Sequence, residues 1–456
     1  MDLINTKKIF FIGIGGVSMS SLAEILAANG KEVSGSNNVE NQMAEYLKEK
    51  GINVAIGHNE NNITNDINLV VYTAAISDDN VEILKAKELG IELIRREILL
   101  GEILKLYKNP IAISGTHGKT TTSSMISEIF LEAKVNPTIS VGGIIKNINS
   151  NTHVGENEYF IAEACEYKDS FLALTPKVGI ILNIDADHLD YFKDLDAIRA
   201  SFKKFASSIP EDGTLIINNC ILGINEFIKD LKCNVITYGN DFADVKSQDV
   251  TFINETTTKF DVVFKDRTIK DVIINVPGYH NVSNALAAIA TSLVFDISED
   301  AIIKGLDSFR GAERRMELRG EFNGIKVFDD YAHHPTEIKA SISAFKTMKH
   351  NKLITVFQSH TYTRTKALLN EFATALADSD EVIITDIYAA RETNDVNVYP
   401  EDLVNGIKPI NENVSYISKF EDIKDYLIKN AKSGDTIIIM GAGDVNKICD
   451  ILPIKK

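Results

Sequence analysis

Residues 111–124 read IAISGTHGKTTTSS, and the architecture of the chain is decided by this stretch. Three apolar residues, Ile111, Ala112 and Ile113, lead into Gly115-Thr116-His117-Gly118-Lys119-Thr120, and helix-forming sequence runs from Thr121 to about Ala133. A buried strand, a glycine turn and a helix start, in that order, form a phosphate cradle. The glycines let several N–H groups point inward, and the helix N-terminus adds partial positive charge. In such a cradle Lys119 reaches the β- and γ-phosphates and the Thr120 hydroxyl binds Mg²⁺. The full pattern has four residues between its glycines, whereas here only Thr116 and His117 intervene. The plain alternative is an ordinary strand-to-helix turn that contains a lysine. Gly, Gly, Lys and Thr in this order favour phosphate, so the stretch predicts a nucleoside triphosphate site that includes Thr121.

The whole chain sets bounds around that site. Its 456 residues suggest about three domains, each able to bury a core. With 44% hydrophobic and 25% charged residues, the composition is that of a globular protein. Forty-eight Lys and Arg against 64 Asp and Glu leave a net charge of −16, and no basic run relieves it. A nucleic acid would be repelled over most of such a surface. The cysteines (Cys165, Cys220, Cys233, Cys449) are scattered without a CxxC pair, which predicts free thiols in a reducing compartment. The opening run is too short for a signal peptide, and no apolar stretch reaches membrane-spanning length. A cytoplasmic protein without membrane insertion is expected. The oligomeric state is left open by the sequence, a homodimer included.

N-terminal to the phosphate loop, Lys8–Ile14 reads as a buried parallel strand, followed by Gly13, Gly15 and Gly16 and a helix from about Ser18 to Asn29. This suggests a dinucleotide or nucleotide-diphosphate site. Two details oppose NAD. Ser18 stands where the third glycine of GxGxxG belongs, and Asn37 and Asn38 stand where an acid would hold the ribose. A diphosphate site is favoured over a purely structural turn. Arg95-Arg96 reads either as an anion contact or as a solvated pair. Lys108-Asn109-Pro110 reads as a linker.

C-terminal to the loop, the strands Glu158–Glu163 and Val178–Asn183 each end in candidate metal ligands, Glu163 to Glu166 and then Asp185, Asp187, His188 and Asp190. Ligands collect at the C-terminal ends of parallel strands, so Glu163 and His188 join Thr120 as Mg²⁺ candidates. Helix capping or loop acids are the plain alternative, and Asp190 and Asp194 fit it. Val250–Val276 suggests an added antiparallel sheet. Asn281 and Asn284 lie one helical turn apart, which suits an adenine edge or a helix cap equally. A hairpin turns at Asn323-Gly324, and further strand ends carry Asp329-Asp330-Tyr331-Ala332-His333-His334-Pro335 and Gln358-Ser359-His360-Thr361-Tyr362-Thr363-Arg364. Polar groups at successive strand ends point to a substrate-facing surface.

Together, GIGG at 13–16, GTHGKTTT at 115–122, Glu163, DHLD at 187–190, GYHNVSNA at 278–285, RRME at 314–317, DDYAHHPTE at 329–337, QSHTYTRT at 358–365 and GAGD at 441–444 resemble the Mur ligases, ATP-dependent enzymes that build the peptide stem of peptidoglycan. The resemblance covers nearly the whole chain. It implies an α/β protein of three domains: a Rossmann-like UDP-sugar domain (1–107), a central P-loop-type ATPase domain (108–309) and a C-terminal Rossmann-like domain (310–456). DYAHHP and HTYTRT, with GIGG in front, are most similar to the member that attaches L-alanine to UDP-N-acetylmuramate; the murein-peptide member is the alternative. ATP and Mg²⁺ follow as cofactors.

The resemblance also implies roles. Gly115 to Thr121 would hold ATP, with Lys119 on the β/γ-phosphates. Thr120, Glu163 and His188 would hold Mg²⁺, Asn281 and Asn284 the adenine, Arg315 the γ-phosphate and Asp330 the ribose. Catalysis would use Lys119 with His333, His360 and Arg364, the last three near the acceptor carboxylate and the alanine. Gly13, Gly15, Gly16 and Ser18 would take the UDP diphosphate. Thr361 stands where many relatives have a second arginine, and Asn37 where aspartate is frequent. Lys203 and Lys204 lie near the position of a carbamylated lysine in sister enzymes, and that role is not carried over. Two other classes remain: a non-catalytic UDP-sugar and ATP sensor, and an NAD-linked oxidoreductase.

Overall fold

The computed structural model describes residues 3–188, 191–254, 256–311, 313–390 and 392–455; Asp190 lies outside them. The chain divides into two compact units. The first comprises Met1–Ile184, Asp196–Lys246 and Leu286–Gly305; the second comprises Asp185–Leu195, Ser247–Ala285 and Leu306–Lys456.

The first unit contains an all-parallel sheet in the order Asn53–Ile56, Glu32–Asn37, Lys8–Ile12, Leu69–Tyr72, Glu92–Arg95. The chain starts in the centre, winds to one side and then crosses to the other. That order opens a crevice at the carboxyl end of Lys8–Ile12, where the first glycine turn lies. Ile9, Phe11 and Ile12 are completely buried, as a strand covered on both faces requires.

A second sheet of this unit runs in the order Asn234–Gly239, Thr214–Asn218, Val178–Ile181, Asn109–Ser114, Tyr159–Glu163, Thr138–Ile145, Ser150–His153. Among these strands only the last pair is antiparallel. Asn109–Ser114 is central, with Ile111, Ala112 and Ile113 fully buried. Two residues of the expected linker are therefore part of this strand: Asn109 and Pro110 pair in register with Tyr159 and Phe160. Proline is tolerated at the start of a strand, where a missing donor disturbs the ladder least. In addition, its carbonyl accepts from Lys177.

In the second unit, Thr258–Phe264 and Arg267–Ile274 form an antiparallel hairpin within Val250–Val276, where an added antiparallel sheet is expected. A six-stranded sheet follows in the order Glu317–Phe322, Ile325–Asp330, Thr436–Met440, Leu353–Phe357, Glu381–Ile384, Val414–Tyr416. Its first pair is antiparallel around Asn323-Gly324, both at positive φ as a tight hairpin turn demands. The remaining neighbours are parallel, and apolar clusters cover both faces. No described helix is long and apolar enough to cross a membrane.

Candidate functional site

In the first unit, the strand Asn109–Ser114 and the helix Lys119–Glu132 bracket the phosphate loop. Gly118 caps that helix at φ +84°, a left-handed conformation that a side chain disfavours. The Lys119 ammonium folds back over its own loop, 2.5 Å from Gly115 O and 3.2 Å from Thr116 O, and pairs with Glu166 Oε2 at 2.9 Å. Burial alone would push Lys119 down. The carboxylates of Glu166 and Glu163 outweigh it and hold the lysine above its ordinary value, firmly charged. Burial, followed by the Glu166 charge, pushes the Cys165 thiol up, so it stays protonated.

Asn183 clamps the same loop. Its Oδ1 accepts from His117 N at 2.7 Å, its Nδ2 donates to His117 O at 3.0 Å, and its own carbonyl accepts from Thr116 N at 3.3 Å. It closes an apolar strand at the ligand edge, a position that marks a functional polar residue, yet sequence reading passes over it for the acids that follow.

Glu163 Oε1 accepts from Gly142 N at 2.7 Å and from Ser123 Oγ at 3.3 Å. A Cβ on Gly142 would come within 2.9 Å of the carboxylate, so bare backbone makes room for it. The hard oxygens of Thr120 and Glu163 fit Mg²⁺, which commonly takes one or two carboxylates and completes its shell with water and substrate phosphate. Among the described residues, no three His, Cys, Asp or Glu side chains gather as a metal cluster. His188, the third expected ligand, belongs to the second unit.

The first glycine turn is differently built. Ser36 O accepts from both Gly13 N and Ile14 N, Asn37 Oδ1 accepts from Gly15 N, and Gly13 O accepts from Gly16 N. Asn41 Nδ2 donates to Gly15 O. Beyond the turn, Arg96 Nη1 donates to Ser18 Oγ at 3.0 Å. The Arg96 guanidinium thus lies at the start of the first helix.

In the second unit, the strand Ile325–Asp330 runs into a turn and then the helix Pro335–Lys346, for which the His334 side chain is the N-cap. His333 Nδ1 lies 3.0 Å from Tyr331 O. A carbonyl only accepts, so Nδ1 carries the proton and Nε2 is the bare nitrogen. His360 Nδ1 lies 3.5 Å from Arg364 Nη1, a donor, so there Nδ1 is the bare nitrogen. Burial pushes both histidines down to about 4, with Arg364 adding to the effect and Glu337 opposing it at His333. Both are neutral at pH 7. Their rings lie 6.0 Å apart, and His360 stacks on Tyr388.

Arg364 donates through Nε and Nη2 to Asp187 Oδ1 at 3.2 and 3.0 Å. Burial would raise Asp187, but Arg364 and the adjacent His188 hold it well below the usual carboxylate range. Asp187 Oδ1 also accepts from His188 N. Thr361, at φ +68°, turns the chain into the helix Tyr362–Ala367. Arg315 lies over the Tyr331 ring and 3.6 Å from Glu337, while Arg314 lies over the same ring. Asp330 is buried, accepting from Ser341 Oγ and Ala332 N, and burial raises it above the ordinary value. Asn284 donates to Asn281 Oδ1, and Asn281 to Pro277 O. This chain of amides has neither residue capping a first-turn N–H through those bonds.

The chain matches three family profiles: the catalytic domain of the Mur ligase family over residues 8–108, the Mur ligase middle domain over 113–292 and the Mur ligase glutamate ligase domain over 314–443. It is 48% identical to the UDP-N-acetylmuramate–L-alanine ligase of Lachnospira eligens over 450 residues, 98% of each chain. The crystal structure of UDP-N-acetylmuramate–alanine ligase from Thermotoga maritima superposes with a TM-score of 0.81 at 28% identity, covering 97% of both chains. A murein peptide ligase from Psychrobacter arcticus gives 0.72 at 25% identity, again over 97% of both.

Proposed function

This chain belongs to the Mur ligase family, and we propose that it joins L-alanine to the lactyl carboxylate of UDP-N-acetylmuramate, driven by cleavage of ATP to ADP and phosphate, in peptidoglycan precursor synthesis. The observation that carries this reading is near-complete coverage at 48% identity by a ligase of that name, together with the charged Lys119 in its loop. We place the chain's domain limits at 107/108 and 309/310; the matched profiles run over 8–108, 113–292 and 314–443. The free cysteines support the cytoplasm, where ATP is supplied.

The reaction divides into two steps. First, a carboxylate oxygen of the lactyl group attacks the γ-phosphorus, the bond to the β-phosphate oxygen breaks, and ADP leaves an acyl phosphate. Lys119 and Arg315 neutralise charge on the phosphoryl oxygens as the transition state forms. Thr120 and Glu163 would hold a magnesium ion, which would supply further charge neutralisation when bound. In the second step the alanine amine attacks the acyl carbon, phosphate leaves and the amine loses a proton. His333 is the acceptor we assign, because its Nε2 is bare whereas the bare nitrogen of His360 faces the Arg364 guanidinium. Arg364 takes the amino-acid carboxylate; with threonine at position 361, it is the sole cation of the motif QSHTYTRT. Accordingly, His333→Gln lowers kcat more than His360→Gln does. Equal losses would remove that assignment.

Phosphate release from ATP and Mg²⁺ tests the function, with UDP-N-acetylmuramate present and single L-amino acids added in turn. Release that needs both substrates and is fastest with L-alanine is expected. Release only when a peptide replaces the amino acid would move the chain to the murein-peptide activity. No release with any acceptor, despite binding of both nucleotides, would make it a sensor.

A further inference from the structure

We propose that Asn183 is a positioning residue of the nucleotide site, setting the direction in which the Gly118 N–H points. The inference rests on reading Gly115–Thr121 as the ATP loop. Three hydrogen bonds join Asn183 to the two residues between the glycines, one through its carbonyl to Thr116 N and two through its side-chain amide to His117 N and His117 O. These N–H groups serve as anchors and are not offered to phosphate. What remains for the anion is the peptide after His117 and the first turn of the helix Lys119–Glu132, together with the Lys119 ammonium.

Geometry then makes the amide decisive. His117 O and Gly118 N–H belong to one planar trans peptide, so they point in opposite directions. Asn183 Nδ2 holds His117 O on its own side and thereby turns the Gly118 N–H away from itself. With the amide gone, nothing from Asn183 opposes a rotation of that peptide, which would aim the His117 carbonyl where a phosphate should sit. Gly118, at φ +84°, lacks the side chain that would otherwise resist such a rotation. The shortened loop therefore depends on a residue 66 positions away for an orientation that a longer loop builds from its own backbone.

Two substitutions separate this role from simple packing. Asn183→Ala removes both side-chain bonds. Asn183→Asp keeps the shape and the bond from His117 N, but sets a carboxylate against His117 O and so favours the rotated peptide. Calorimetric titration with ADP is expected to show about tenfold weaker binding in Asn183→Ala and a larger loss in Asn183→Asp. Affinity for UDP-N-acetylmuramate stays within about twofold of wild type in both, since that ligand is assigned to the other glycine turn. Unchanged ADP affinity in both variants would overturn the proposal, and so would an equal loss for both ligands, the mark of general unfolding. Lys119→Ala, titrated alongside, distinguishes the underlying reading. If it binds ADP as wild type does, the loop is not the nucleotide site; if it alone fails, the loop stands and the role of Asn183 falls.

Discussion

In the turn Gly13–Gly16, all four backbone N–H groups are answered from within the protein, by Ser36, Asn37 and Gly13 itself. In the turn Gly115–Gly118, Asn183 holds Thr116 and His117, and the next residue is a half-buried lysine kept charged by carboxylates. Both turns join a buried parallel strand to a helix in the same unit. The first carries no cation of its own and receives Arg96 from 78 residues away in sequence. The comparison teaches that a glycine turn becomes an anion site through the donors left over after the fold has taken its share.

The largest effect should come from the turn that owns its cation. Lys119→Ala is expected to lower kcat/KM by about a thousandfold, the scale of losing one fixed donor to transition-state charge. A loss under tenfold in a steady-state phosphate-release assay would erase the distinction between the turns. Next, Arg96→Ala is expected to weaken UDP-N-acetylmuramate binding about tenfold and to leave ADP binding unchanged. Unaltered affinity for the UDP-sugar would return Arg96 to a structural role.

How much of this is legible in the sequence follows from the same contrast. The apolar runs of Lys8–Ile12, Asn109–Ser114 and Thr436–Met440 are continuous, so the strands and the ligand edges they define can be read directly. Pro110 misleads, because a residue that ends helices also begins strands. The strands Thr214–Asn218 and Asn234–Gly239 carry no motif and are not foreseen. Lys119 and Thr120 are visible because the glycines of their loop are adjacent in sequence. Asn183, Arg96 and the pairing of Arg364 with Asp187 are contacts across long separations, set by which strand lies beside which. The bare nitrogen of His333 depends on one carbonyl, that of Tyr331, which only the folded turn reveals.

Smaller effects sharpen the comparison further. Glu166→Gln removes the carboxylate that competes with phosphate for Lys119. ADP affinity is then expected to rise about threefold while Tm falls by a few degrees, because a half-buried ammonium loses its charged partner. Calorimetry and a melting curve report both, and weaker ADP binding would show that Glu166 supports the ligand instead. The smallest effect concerns pH. Lys119 is held above its ordinary value, so its charge persists below that range and is lost only as pH rises beyond it. ADP affinity should therefore stay flat from about pH 7 to 9, and a decline there would mean a lysine with a lowered value.

The most direct test of two turns with two ligands is a crossed titration. ADP and UDP-N-acetylmuramate are each titrated calorimetrically into wild type, Lys119→Ala and Arg96→Ala. The predicted result is that each variant loses about tenfold or more for one ligand only, ADP for Lys119→Ala and the UDP-sugar for Arg96→Ala. A loss of the UDP-sugar with Lys119→Ala, or of ADP with Arg96→Ala, would contradict the division of labour between the turns.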